Sequence, residues 1–292
     1  MIVTPITPVL SKKNALGGMA ALFMALVLAG CWGNGNPVGG GEGGASLVTV
    51  ANLGTFMKEV EGGQFKRGCR ADKGEGVKVV DGVEVTDTTC LPSKDTTVAG
   101  FYICQYAVTQ GLWKQVMGAS DNPSEYPGDD LPVTNVTGIQ INNFFVELNK
   151  KTADGIYNYR LPFETEWEYA ARGGNSGNDY KYSGSDNPED VAWYGKATGG
   201  PRRVNSGLPN ELDIYGMSGN VWEVVGAALV NASRPELGIG RGAERGGSWF
   251  GEERYCRATY RVGVGSFTLP TSDVNGSTSS DRGFRIAATL KQ

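Results

Sequence analysis

The chain of 292 residues contains no histidine. That removes the commonest general base and metal ligand, and with them Ser-His-Asp triads and imidazole-bound zinc or iron. A second absence is local: from Val262 to Asp281 there is no Lys, Glu, Gln, Met or Trp. Solvated loops ordinarily carry Lys and Glu, so the stretch reads either as a long Gly/Ser/Thr loop or as a segment drawn from a restricted set of residues. Basic stripes are missing too. Lys and Arg number 27 against 31 Asp and Glu, a net charge of −4, which makes nucleic acid a poor partner. Glycine is abundant, at 44 residues, and predicts many turns and few long helices.

The N-terminus reads as a targeting segment. Lys12 and Lys13 precede an apolar run, Ala15 to Ala29, too short for a comfortable membrane span. The run ends Leu28-Ala29-Gly30-Cys31, which resembles a bacterial lipobox, where the cysteine becomes the lipidated mature N-terminus. Residues 1–30 are then a lipoprotein signal peptide, and losing Lys12 and Lys13 takes the net charge from −4 to −6. Acyl chains on Cys31 would hold the protein to a membrane without a spanning helix. Residues 31–46 include GNGNPVGGGEGG, a flexible tether unable to bury a core. The remainder, 47–292, is long enough for one large globular domain. Export permits disulfides, and Cys69, Cys90, Cys104 and Cys256 allow three pairings. Cys69 and Cys90 flank a charged insert and are the favoured pair; Cys104 lies in an apolar strand pattern and is expected as a buried thiol.

Phe101 to Val108 reads as a strand. Thr109 can cap a helix carrying Leu112, Trp113, Val116 and Met117 on one face, ended by Gly118. Thr137 can cap a second with Ile141, Phe144, Phe145 and Leu148. A third runs from Glu164 to Arg172, with acids in its first turn and Arg172 in its last. Arg245-Gly246-Gly247-Ser248-Trp249 sets paired glycines beside a large aromatic, a sign of close backbone approach, and Gly283 to Ile286 alternates as a final strand.

RLPFETEWEYAARGG from Arg160, PNELDIYGMSGNVWE from Pro209, RGGSW from Arg245 and GFRIA from Gly283 resemble the formylglycine-generating-enzyme (sulfatase-modifying-factor) family. GGQFKRGC, FYICQYAVTQGLWKQVMG and GDDLPVTNVT extend the resemblance over Glu61 to Ala288. It implies an α+β, C-type-lectin-like fold with small antiparallel sheets, few helices and much irregular structure. It also implies Trp167, Tyr169, Trp222 and Trp249 in the core, with Arg160 and Glu168 as internal polar partners.

The family's chemistry does not carry over intact. Oxidase members use two cysteines five residues apart after the GGS motif. Here the first position is Gly251 and the second Cys256, and one thiolate cannot build a two-sulfur copper site. The family's calcium loop is altered as well: an Asp or Asn ligand is replaced by Gly216, leaving Glu223 and the carbonyls of Gly219 and Val221, with Asp213 nearby. No cofactor is expected beyond a weak calcium site at best.

A subset of the family serves as variable proteins of diversity-generating retroelements, in which template adenines are miscopied and Asn codons scatter. The residues reachable from Asn exclude Lys, Glu, Gln, Met and Trp, the five missing from Val262 to Asp281. GGSW, a scattered run, CR, a second run and GFR give the same framework, with the variable segment at 249–282. Glu252 and Glu253 are unreachable from Asn and would have to be fixed.

The chain thus resembles a variable lipoprotein of treponemal type, held at the bacterial outer membrane or cell surface. It would be no enzyme, and its C-terminal face would bind an unknown protein or cell-surface ligand. Candidate contacts are Phe250, Gly251, Arg254, Tyr255, Thr259, Tyr260, Val262, Gly263, Val264, Gly265 and Ser266. The alternative is a degenerate or active thiol oxidase acting through Cys256.

Overall fold

The computed structural model describes residues 47–80, 83–86, 92–152, 155–226, 243–262 and 278–291, all within the compact unit Gly39–Gln292. The leader, Cys31, the tether, Cys90 and positions 263–277 lie outside the described residues. Among the described residues no helix is long and apolar enough to cross a membrane.

In chain order the strands are β1 (Met57–Val60), β2 (Gly63–Arg67), β3 (Val77–Val80), β4 (Val83–Thr86), β5 (Lys94–Val98), β6 (Phe101–Ala107), β7 (Tyr157–Arg160), β8 (Trp222–Val225), β9 (Ala243–Arg245), β10 (Arg261–Val262) and β11 (Arg282–Leu290). A seven-stranded sheet runs β1-β6-β11-β8-β9-β10, with β7 also on β11; β2–β5 and β3–β4 form two small antiparallel ribbons. The main sheet departs from the antiparallel expectation at one pair: β8 and β11 run parallel, in the register Arg282 to Trp222 and Phe284 to Val224. Further along, β11 pairs antiparallel with β7 through Ala287 to Arg160.

The last strand organises the interior. Its side chains alternate by the two-residue period of a strand: Phe284, Ile286 and Ala288 enter one apolar cluster, Ala287 the other. Helix α1 (Gln110–Met117) and helix α2 (Gly138–Lys151) cover the first face. Both start where the sequence predicts: Thr109 accepts from the Leu112 amide, and Thr137 forms a reciprocal capping box with Gln140. Trp113 stacks on Phe144 with ring centroids 5.4 Å apart, and Phe284 packs edge-on against both. Helix α3 (Glu164–Ala171) covers the other face with Trp167, Tyr169 and Ala170, while the short α4 (Pro188–Val191) sits in the irregular region before β8.

The polar residues of the motifs are consumed internally. Glu166 takes two hydrogen bonds from Arg160, at 2.7 and 2.8 Å, and a third from the Phe163 amide. Glu168 bonds Arg172 at 3.0 Å and Arg245 at 2.6 Å. Cys69 is disulfide-bonded, while Cys104 and Cys256 are free and buried.

Candidate ligand-binding face

The two glycines of RGGSW are required by geometry. Gly246 and Gly247 have φ of 91° and 75°, a region that favours glycine. A Cβ on Gly247 would also stand 2.8 Å from the backbone of Tyr255. The chain therefore folds back on itself so that Glu253–Cys256, a short 3₁₀ turn, lies against the motif.

Arg245 completes the fold-back. Its guanidinium is fully buried, neutralised by Glu168, and donates to the carbonyls of Ala258 (3.1 Å), Thr259 (2.9 Å) and Tyr260 (2.7 Å). Other ties to this segment are of the same kind. Lys196 N–H donates to the Trp249 carbonyl at 2.7 Å, Gly195 N–H to the Gly251 carbonyl at 2.8 Å, and Ser218 Oγ to the Cys256 carbonyl at 2.8 Å. The Ala258 amide donates to the Lys181 carbonyl. Such bonds ask nothing of the side chains borne by positions 249–260. On the far side of the undescribed stretch, Asp281 accepts from Ser248 Oγ at 2.6 Å and its carbonyl accepts from the Trp222 amide, so the two flanks of the segment meet.

What those positions display is aromatic. Tyr255 and Tyr260 lie 4.9 Å apart, and each ring is 6.0 Å from Trp222. Trp222 is half-buried, a correction to its expected place in the core: it is the floor of an open aromatic cluster. Trp249 is buried at 5% exposure, as expected, with Phe250 packed edge-on over it and 61% exposed. Arg254 is exposed, its guanidinium over the Tyr255 ring. Gly251 and Val262 are half-buried. Thr259 does not join this surface; at 2% exposure its side chain faces inward, and only its carbonyl is used. Gly263, Val264, Gly265 and Ser266 lie outside the described residues.

Glu253 differs from its neighbours in bonding the scaffold. The buried Tyr182 hydroxyl donates to its carboxylate, and burial together with that acceptor raises the tyrosine's pKa. Glu253, unreachable from an Asn codon, thus has a structural tie to the scaffold. The sequence carried no signal for this bond, nor for the carbonyl-directed clamp of Arg245, because both depend on residues distant in the chain.

Catalysis through Cys256 meets a physical obstacle. The thiol is fully buried among Tyr182 and Val191, and burial, with Glu253 adding to it, pushes its pKa up to about 12. A thiolate is the reactive species, and this site disfavours it. At Gly251, where the family's first cysteine would stand, an added Cβ would meet the Tyr255 ring at 2.9 Å.

The calcium candidates do not fit a cation either. Glu223 is fully buried, and its carboxylate accepts from Arg285 at 2.6 and 3.0 Å and from Trp167 Nε1 at 2.7 Å. A cation there would have to displace Arg285. Gly219 and Val221 remain as backbone carbonyls beside a carboxylate already neutralised. Asp213 is likewise engaged, with Lys58 at 2.6 Å and Gln105 at 2.7 Å. No group of three or more acidic or sulfur ligands occurs among the described residues.

Comparison with known proteins places this geometry in a family of mixed roles. The chain is 33% identical over 195 residues to the chaperone protein LppX of Paenibacillus barcinonensis, covering 50% of this chain and 69% of that one. It is 35% identical over 150 residues to the formylglycine-generating enzyme of Streptomyces coelicolor, covering 44% and 46%; the chain thus spans about half the length of that enzyme. Among solved structures it is similar to variable protein 1 of Treponema denticola, at 25% identity and a TM-score of 0.58, covering 81% of this chain and 95% of that one. Similarity to a variable protein and to a chaperone fits a ligand-binding role, while the family also holds enzymes. Residues 51–290 match the sulfatase-modifying factor enzyme 1-like domain, and the chain belongs to that family.

Proposed function

We propose that this protein is a lipid-anchored binding protein of the bacterial surface, without enzyme activity, whose C-terminal face is a receptor site diversified by a retroelement. The observation that carries the reading is the way positions 249–260 are held. Arg245, Lys196, Gly195 and Ser218 reach their main-chain carbonyls, so the outward side chains Phe250, Arg254, Tyr255 and Tyr260 can change without loosening the fold, while Trp249, Glu253, Cys256, Ala258 and Thr259 belong to the scaffold. Phe250, Arg254, Tyr255, Tyr260 and Val262 form the described part of the receptor surface, and 263–266 continue it in sequence. Aromatic side chains suit the task because they supply large contact area at low entropic cost. The ligand is a protein or other cell-surface molecule, and Cys31 carries the anchor.

The test is a library randomised at Phe250, Arg254, Tyr255, Tyr260 and Val262. Most members should keep a cooperative thermal transition, and selection against arrayed surface proteins should yield binders with different residues at these positions. Unfolding of most members would overturn the reading. At the genomic level, a near-copy of the gene's 3′ end, differing at adenines and lying beside a reverse transcriptase, is the expected companion. Fatty-acid label retained equally by a Cys31→Ser variant would remove the anchor.

A further inference from the structure

Against the main chain of Trp249 lies a pair of cations that the candidate segment does not supply. Arg202 sits on the Trp193 ring, its guanidinium carbon 3.3 Å from the centroid, and the Lys196 ammonium lies 4.8 Å from the same centroid. Both residues are wired to the variable segment through its main chain: Lys196 N–H donates to the Trp249 carbonyl, while the Arg202 and Trp249 amides both donate to Asn220. Phe250, exposed and packed edge-on against Trp249, follows in the chain the residue whose carbonyl takes the Lys196 bond.

Arg202 has no carboxylate within reach among the described residues, as is also true of Arg67 and Arg257, but of these only Arg202 stacks on an aromatic ring beside a second cation. Nine other arginines of the described residues have an acidic oxygen within 4.0 Å. Lys196, too, has none among the described residues, although acids lie nearby in the sequence. Those acids are committed elsewhere: Glu189 to Tyr194, Glu252 to Arg254, Glu253 to Tyr182. Partial burial already lowers the Arg202 pKa, a cost that no counter-charge offsets. Stacking on the indole uses the face of the guanidinium and leaves its in-plane N–H donors free. That presents a carboxylate with a pre-oriented fork.

We propose that Arg202 and Lys196, over Trp193, form a fixed docking site for an acidic side chain of a protein ligand, so that the variable aromatics choose among ligands that share this anchor. The inference rests on the reading of the neighbouring face as a ligand site. A protein carboxylate is favoured over a polyanion because the chain is net negative and only Arg202 and Lys196 sit on the Trp193 ring, with Arg203 already near Asp130, too few cations to offset repulsion from nucleic acid or an anionic bilayer.

The probe is a fluorescein-labelled peptide of four Glu-Phe-Gly repeats, with a Lys-Phe-Gly peptide as control, followed by fluorescence anisotropy on the full domain. The wild type should bind the acidic peptide and not the basic one. Arg202→Gln with Lys196→Gln should weaken binding about tenfold or more and flatten its dependence on salt. Arg203→Gln, exposed next door and weakly paired with Asp130, should leave it unchanged. Circular dichroism of each variant shows that the fold is kept.

Binding by the double variant within about twofold of wild type would overturn the proposal, as would failure of the wild type to bind. Displacement by inorganic phosphate or phosphatidylglycerol vesicles as readily as by unlabelled peptide would overturn it too. The parent reading fails separately: Tyr255→Ala with Tyr260→Ala should keep the acidic peptide while abolishing capture of a library-selected ligand. If the selection yields no ligand and the peptide still binds, only the parent reading falls.

Discussion

Arg285 donates through Nη2 and Nε to the carboxylate of Glu223, at 2.6 and 3.0 Å, and both side chains are fully buried at the parallel junction of β8 and β11. The remaining Arg285 donors go to the carbonyls of Cys104, Gln105 and Tyr215 at 2.8 to 3.0 Å, tying β6 and the loop before β8 to the pair. Removing one partner leaves an uncompensated buried charge, so Glu223→Gln or Arg285→Met should each cost about 3–5 kcal/mol. The double change should cost less than the two added together. Urea unfolding of the three variants measures this coupling directly.

The two free thiols should be silent in the native state. Burial raises the pKa of Cys104, and that of Cys256 reaches about 12 from an ordinary 9.0. Native protein at pH 8 should therefore resist iodoacetamide at both cysteines and react at both in denaturant. The fold favours the neutral thiol, so this contribution to stability is intact below pH 9 and fades as the pH climbs toward 12. Cys256→Ala should blunt the alkaline loss while leaving ligand binding unchanged. Native alkylation of Cys256, or aldehyde formation on a thiol peptide in the presence of copper, would revive the oxidase reading.

Acid should loosen the sheet edge at β10. Burial pushes the Glu164 carboxyl up, but the Arg261 hydrogen bond and the Arg245 charge outweigh it and hold its pKa below 4.5. The stabilisation is present above 4.5 and disappears as the pH falls through the lowered value. Amide exchange at Arg261 and Val262 should speed up over that range. Relative to the intrinsic rate at each pH, protection in Glu164→Gln should be low throughout and nearly independent of pH.

Aromatic substitutions should sort by depth. Phe250→Ala should alter stability by about 0.5 kcal/mol or less, and Tyr255→Ala or Tyr260→Ala by about 1 kcal/mol each. Trp249→Ala, in a closed site against Tyr126, should cost about 3–5 kcal/mol. Trp222→Ala should fall between, at about 2 kcal/mol, because the ring is half-buried. Thermal melts give the order, and a large loss for Phe250→Ala would place that ring in the core.

Local chemistry and amino-acid supply were legible from the sequence. Thr109 and Thr137 announced two helices because capping is decided within three residues, and the alternation of Gly283 to Ile286 announced the last strand. The missing cysteine at Gly251 and the absence of histidine bound the chemistry from the sequence alone. Tertiary structure decided which of these side chains see water and which see each other. Nothing local in the sequence separates Thr259 from Tyr255 and Tyr260 as surface candidates. Yet Thr259 turns inward while the tyrosines lie half-open on Trp222, because the backbone direction there is set by Arg245, distant in the chain. Glu223, a metal candidate by motif, proved to be the buried counter-ion of Arg285, 62 residues on. Such long-range pairings leave no local pattern in the chain, and only the folded sheet brings them together.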